Sequence, residues 1–114
     1  MRKPKRGDVY YVDCGEVIGS EQGGIRPAVI IQNDTGNNYS PTTIVALVTS
    51  REKKPLPTHV RIAHGFDRPS CVLLEQIRTI SKQRLGDYLF SLGDDDMQRI
   101  DLALMESLAI TYRP

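Results

Sequence analysis

Residues 42–49 read TTIVALVT, eight residues that are β-branched or apolar at almost every position and contain no glycine, proline or charge. Branched side chains pack well on a pleated surface, so this run predicts a strand ending at Thr49. Upstream, residues 26–32 read RPAVIIQ, a second short and nearly continuous apolar run. Pro27 lacks an amide donor and is tolerated only near the start of a strand, so this strand begins close to Arg26. Between the two lies NDTGNNYSP, dense in turn formers and read as a loop.

Working outward, DVYYVD over 8–13 predicts a first strand, and CGEVIGSEQGG over 14–24 predicts a long glycine-rich loop. Downstream, the charged and proline-bearing SREKKPLP reads as a loop. THVRIA follows, alternating Val60 and Ile62 with His59 and Arg61, which predicts a half-exposed strand with His59 outward. CVLLEQIRTI over 71–80 is a fifth apolar stretch, interrupted by Glu75, Gln76 and Arg78, polar groups whose neighbours ask for burial. Ser81 is placed to cap a short turn over Lys82–Arg84, and DYLFSL is ambiguous between a strand and part of that turn. After Gly93, the run Asp94–Asp96 supplies a cap and negative charge for a helix reaching about Thr111. Met97, Ile100, Leu104 and Leu108 form its apolar stripe, widened by Leu102, Met105 and Ala109. Short strands followed by one terminal helix predict a single domain over 1–114, a small barrel or strongly bent sheet of the mainly β or α+β class.

With 114 residues, 39% hydrophobic and 25% charged, the chain has the balance of one soluble globular domain, and no apolar run is long enough to span a membrane. The basic N-terminus runs into Gly7 and Asp8 instead of an apolar stretch, so a secretory leader is not predicted. Cys14 and Cys71 lie far apart without a CxxC pattern, which fits reduced thiols and a cytoplasmic location. The net charge of +1 conceals an asymmetry: residues 1–93 hold 13 basic and 9 acidic side chains, residues 94–114 hold 2 and 5. The larger part is therefore the better partner for an anion.

Several chemistries have no supporting pattern. His59 and His64 do not stand at metal-ligand spacing with carboxylates or thiols, so neither a metal nor a cofactor is expected. No GxSxG setting is present, and GSEQGG precedes a strand and lacks the Lys-Ser/Thr ending of a phosphate-binding loop. What stands out is Arg26, between a glycine-rich loop and a buried strand, with Thr49 closing the next strong strand. If those strands pair, a guanidinium and a hydroxyl face one crevice, a combination suited to gripping phosphate. The alternative is an ion-paired strand arginine and an edge threonine.

At GDVYYVD, GSEQGGIRPAVIIQND, SPTTIVALVTS, LPTHV and LLEQIRTISKQRL the chain resembles the MazF/PemK family of toxin endoribonucleases, in family order and spacing from about Gly7 through the terminal helix. The resemblance implies an SH3-like barrel (CcdB/PemK-like) of about five to seven strands with a C-terminal helix, and a homodimer. It also implies metal-independent cleavage of single-stranded RNA or mRNA at short sites, often containing ACA, leaving a 2′,3′-cyclic phosphate and a 5′-hydroxyl. Translation arrest and neutralisation by a cognate MazE-like antitoxin follow from the same likeness. The family's catalytic arginine and threonine match Arg26 and Thr49. Ser20, Glu21, Gln22 and Gly24 then form the loop above the crevice, where unpaired base edges are read; Glu21 alternatively orients Arg26. Gln76, Arg78 and Thr79 are candidates for further RNA contacts or members of a structural network, and Lys53 and Lys54 either attract phosphate or form a solvated loop. Two other functions compete: a non-enzymatic toxin that binds DNA gyrase, as the related CcdB family does, and a fold used only for binding.

Overall fold

The structure is a computed structural model that describes residues 2–16, 18–19 and 23–111. Strands β1 (Asp8–Asp13), β2 (Ile25–Ile30), β3 (Thr42–Thr49), β4 (His59–Ile62), β5 (Ser70–Ser81) and β6 (Leu85–Ser91) are joined by two helices, α1 (Asp34–Tyr39) and α2 (Asp94–Leu108). The strands form one six-stranded sheet in the order β4-β5-β3-β2-β1-β6, and every pairing is antiparallel.

The continuous apolar character of β2 and β3 has a direct structural cause, because both faces of the sheet are buried. On one face Val29, Ala46, Val48, Val72 and Leu74 pack beneath Ile100 and Ala103 of α2. On the other, Tyr10, Val12, Cys14, Ala28, Ile30, Val45, Leu47 and Ile80 form a second core with Leu85 against it. Among the described residues no helix contributes a side chain to this second apolar cluster, yet Ala28, Ile30, Val45 and Leu47 are fully buried. The sheet must therefore curl so that its own strands cover that face. Register shifts in the β1–β6 pairing and one between β3 and β5 supply the bending. The edge strands β4 and β6 do not pair with each other, so the sheet is strongly bent but not closed into a barrel.

Two local features differ from the sequence reading, and one ambiguous segment is resolved. The 33–41 segment contains a short helix instead of only turns. Asn33 caps it by accepting from Gly36 N at 2.8 Å, and buried Asn37 anchors it by accepting from Thr43 Oγ1 at 2.8 Å and donating to the Gln32 carbonyl at 2.9 Å. The ambiguous DYLFSL segment belongs to β6, which gains its hydrogen-bond partners from β1. In α2 the cap residue is Gly93, with no side-chain cap bond, and Asp94–Asp96 occupy the first turn, where they face the positive end of the helix dipole. The helix stops at Leu108, short of Thr111, because Ala109 adopts a left-handed conformation (φ 54°) and Ile110 N bonds back to the Met105 carbonyl at 2.8 Å. The capping of the short turn by Ser81, through Gln83 N at 3.2 Å, is as the sequence suggests.

Because Leu47 and Ile100 are fully buried on opposite faces, each measures one core. Leu47→Ala and Ile100→Ala are each expected to lower stability by about 2–5 kcal/mol, read as a shift in the urea midpoint.

Candidate active site

The site is built from the β2–β3 ladder. Ala28 pairs with Leu47, Val29 with Ala46 and Ile30 with Val45. The ladder ends at Ala28–Leu47, and Arg26 and Thr49 stand two residues beyond it at the same end of the two strands. Side chains alternate along a strand, so both residues lie on the face of the second core, with Ala28, Ile30, Val45 and Leu47. The row continues across the sheet, because Thr49 pairs with Cys71 of β5 and Cys71 pairs with Arg61 of β4. At ~4.8 Å per strand, the row from Arg26 to Arg61 covers roughly 14 Å.

Arg26 is half-buried, and its Nε donates to the Gly23 carbonyl at 3.0 Å. Thr49 is 2% exposed, and its Oγ1 accepts from Arg51 N at 3.2 Å as the chain turns back over it. Beyond that turn, Arg51, Lys53, Lys54, Arg61 and Arg68, with Glu52 as the one carboxylate among them, help to line a cleft of about 420 Å³. Lys53 and Lys54 therefore belong to a basic cleft next to Thr49. Arg61 was not separable from other exposed strand residues in the sequence, since only the β3–β5–β4 register brings it into the Thr49 row.

The loop between β1 and β2 has a closed neck. Cys14 N donates to the Gly24 carbonyl at 2.8 Å and Gly24 N to the Gly15 carbonyl at 3.1 Å. Gly24 has φ +71°, a left-handed conformation that disfavours side chains even though a Cβ there would meet open space. Ser20, Glu21 and Gln22 lie outside the described residues. Arg78 reaches this neck: it stands opposite Val45 on the second-core face, and its Nη1 donates to the Cys14 carbonyl at 3.0 Å. Gln76 is half-buried in the stretch of β5 spanned by the register shift, and Thr79 lies opposite Ile44 on the helix-bearing face, away from the Arg26–Thr49 row.

Burial pushes the Cys14 thiol up, opposed by the nearby Arg78 and Arg26 guanidiniums. Cys71 is likewise raised, first by burial and then by Glu75. His59 differs from the outward-facing residue that strand alternation predicts. Its side chain is 7% exposed, with Nε2 2.8 Å from Glu75 Oε2 and Nδ1 3.0 Å from the Lys54 carbonyl. Thr58 Oγ1 donates to Glu75 Oε1 at 3.1 Å, so Glu75 ties the 50–58 segment to β5. Among the described residues no three His, Cys, Asp or Glu side chains converge as a metal-ligand group, and no helix is long and apolar enough to cross a membrane.

The bent antiparallel sheet with its C-terminal helix is a fold shared with known proteins. Residues 5–108 match the family of PemK-like, MazF-like toxins of type II toxin–antitoxin systems. The chain belongs to this family. It is 56% identical over 110 residues to Endoribonuclease EndoA of Bacillus subtilis, covering 93% of this chain and 95% of that protein. Among solved structures it is similar to a mycobacterial endoribonuclease in complex with its cognate antitoxin, with a TM-score of 0.82 and 27% identity over 96% of this chain and 99% of the other. MazF from Deinococcus radiodurans shares the fold with a TM-score of 0.83 at 23% identity, covering 96% of this chain and 100% of that one.

The Glu75 carboxyl is held below its ordinary value: partial burial pushes it up, but the hydrogen bond from His59, together with the other bonds it accepts, outweighs that. A lowered folded value means the stabilisation is complete above the unfolded carboxylate value of about 4.3 and is lost as pH falls through the lower folded value. Glu75→Gln is therefore expected to melt earlier than the parent near neutrality. The two melting midpoints should converge as the pH is taken below the carboxylate range.

Proposed function

We propose that this chain is the toxin of a toxin–antitoxin pair and acts as a sequence-specific endoribonuclease on single-stranded RNA, without a metal. The observation that carries this reading is the placement of Arg26 and Thr49 just past the same end of the β2–β3 ladder, in a chain 56% identical to an endoribonuclease. Fold likeness alone would leave the chemistry open, since one fold hosts many activities.

The reaction is an internal transfer. A ribose 2′-oxygen attacks the adjacent phosphorus and the bond from phosphorus to the 5′-oxygen breaks. The 2′-hydroxyl proton passes to water, the departing 5′-oxygen takes one from water, and the products are a 2′,3′-cyclic phosphate and a 5′-hydroxyl. The nucleophile is part of the substrate, so no metal-bound water has to be generated. The protein's task is to stabilise the charge that grows on the phosphorane oxygens. Arg26 supplies a permanent cation whose orientation is set by the Gly23 carbonyl. The Thr49 hydroxyl accepts from Arg51 N, and its own proton is available to a phosphate oxygen.

The basic cleft supports passage of the phosphate backbone past the site, with Arg61 in the same row as Thr49 and Lys53 and Lys54 beside it. The same cations suit an acidic, flexible antitoxin segment that excludes RNA. Similar chains have been solved with a cognate antitoxin and as a MazE–MazF assembly, which supports such a partner. Leu102, Leu108 and Ile110, 63%, 56% and 53% exposed, form an apolar surface at α2 compatible with a symmetric homodimer.

The test is incubation of the purified protein with long single-stranded RNA in excess EDTA, mapping new 5′-hydroxyl ends. Cuts at a repeated short sequence are expected, with turnover reduced on the order of a hundredfold by Thr49→Ala and at least as much by Arg26→Ala. RNA left intact by folded protein free of antitoxin would overturn the reading and favour gyrase binding. Arg61→Ala is expected to raise KM with little change in kcat. It should also make the fall of log(kcat/KM) with log salt shallower by about 0.7, the value for one phosphate contact on a single strand.

A further inference from the structure

The segment that joins β3 to β4 is exposed from 51 to 57, and 52–56 belong to no helix or strand. Such a segment is ordered by its hydrogen bonds, and here donors are few because Pro55 and Pro57 have no amide proton. At one end Arg51 N donates to Thr49 Oγ1 at 3.2 Å, and at the other His59 N donates to the Leu56 carbonyl at 3.0 Å. Between these points, among the described residues, the one hydrogen bond that holds the segment runs from His59 Nδ1 to the Lys54 carbonyl at 3.0 Å. A carbonyl oxygen only accepts, so Nδ1 is the donor and carries a proton. The other side of the ring is anchored to the sheet. Nε2 lies 2.8 Å from Glu75 Oε2, Thr58 Oγ1 donates to Glu75 Oε1 at 3.1 Å, and Leu74 N donates to the Thr58 carbonyl at 2.9 Å. The His59 ring, 7% exposed, is therefore a fixed link from β5 to the middle of an otherwise loosely held loop. The residue it holds is itself one of the cations of the cleft beside Thr49. Lys53 stands next to it, and among the described residues neither lysine has an ion-pair partner.

We infer that His59 is a positioning residue for RNA binding: through the Lys54 carbonyl it keeps Lys53 and Lys54 in place at the cleft beside Thr49, ready for the phosphate backbone. The inference rests on the endoribonuclease reading, and it gives His59 a role through the loop backbone instead of a contact with substrate. Ordering a loop and two long side chains costs free energy, and a loop ordered in advance does not charge that cost to the binding step. A bond to the backbone suits this task because it leaves both ammonium groups unneutralised. Binding carries the effect, since the link acts on the cleft cations and not on Arg26 or the Thr49 hydroxyl.

The test compares His59→Asn, whose amide nitrogen takes the place of Nδ1, with His59→Gln, whose amide nitrogen takes the place of Nε2. In the RNA-free protein, backbone order parameters at Lys53 and Lys54 are expected to stay near the rigid value of about 0.85 in the parent and in His59→Asn. In His59→Gln they should fall below about 0.6. On RNA, His59→Gln is expected to raise KM about threefold to tenfold with kcat unchanged, and His59→Asn to remain close to the parent. The same two variants are then made in a Lys53→Ala/Lys54→Ala background, where His59→Gln should add no further rise in KM. An equal rise in KM for Asn and Gln, or a rise that persists without the two lysines, would make His59 a packing residue or a direct RNA contact and overturn the inference. Unaltered order parameters in His59→Gln would overturn it as well. If His59→Gln does not fold, the ring nitrogens of the parent decide by their ¹⁵N shifts: a protonated Nδ1 is expected, and an unprotonated one rules out the bond to Lys54. A parent that cuts no RNA would sink the endoribonuclease reading, while the order parameters and the ring nitrogens would still decide whether His59 holds the loop.

Discussion

The antiparallel pairing of β2 with β3 is the constraint on which the rest depends. These two strands are central, buried on both faces, and carry Ala28, Val29, Ile30, Val45, Ala46 and Leu47 at full burial. Side chains alternate with a period of two, so a slip of one residue would transfer Arg26 or Thr49 to the face beneath α2. It would also swap the two cores. The packing that stabilises the sheet is therefore the same packing that brings the guanidinium and the hydroxyl to one side. Core and site are not separable here, because a single register serves both.

A second theme is where the cations find their partners. Arg2 pairs with the buried carboxylate of Asp8, and Arg6 with Asp101, so at that end of the molecule charge is neutralised within the protein. Around the loop neck the acceptors are backbone carbonyls: Gly23 for Arg26, Cys14 for Arg78 and Asp13 for Arg84. A carbonyl orients a guanidinium and so keeps a cation at a fixed place beside the neck. Together with the basic cleft beside Thr49, this gives one side of the sheet a field suited to a phosphate backbone, although the whole chain carries only +1.

The strands were legible because burial on both faces leaves a strong local mark: TTIVALVT and RPAVIIQ are strand-like by composition alone. Less legible were features whose support comes from distant residues. The α1 helix depends on Asn37 meeting Thr43 and Gln32, and β6 on pairing with β1. His59 follows strand alternation locally, yet its ring is covered because Glu75 and Lys54 close over it.

From its sequence alone, this chain determines a mainly β fold with a terminal helix, a glycine-rich loop ahead of Arg26, and a family resemblance that singles out Arg26 and Thr49. Each of these is written in local pattern, since propensity, periodicity and motif order need no partner. Tertiary structure alone decided that Arg61 joins the Thr49 row, that Arg78 turns to the loop neck while Thr79 faces away, and that the sheet bends without closing. The physical reason is that cross-strand register and the bulges that shift it are set by the simultaneous packing of two cores, a global balance that no single stretch of sequence carries.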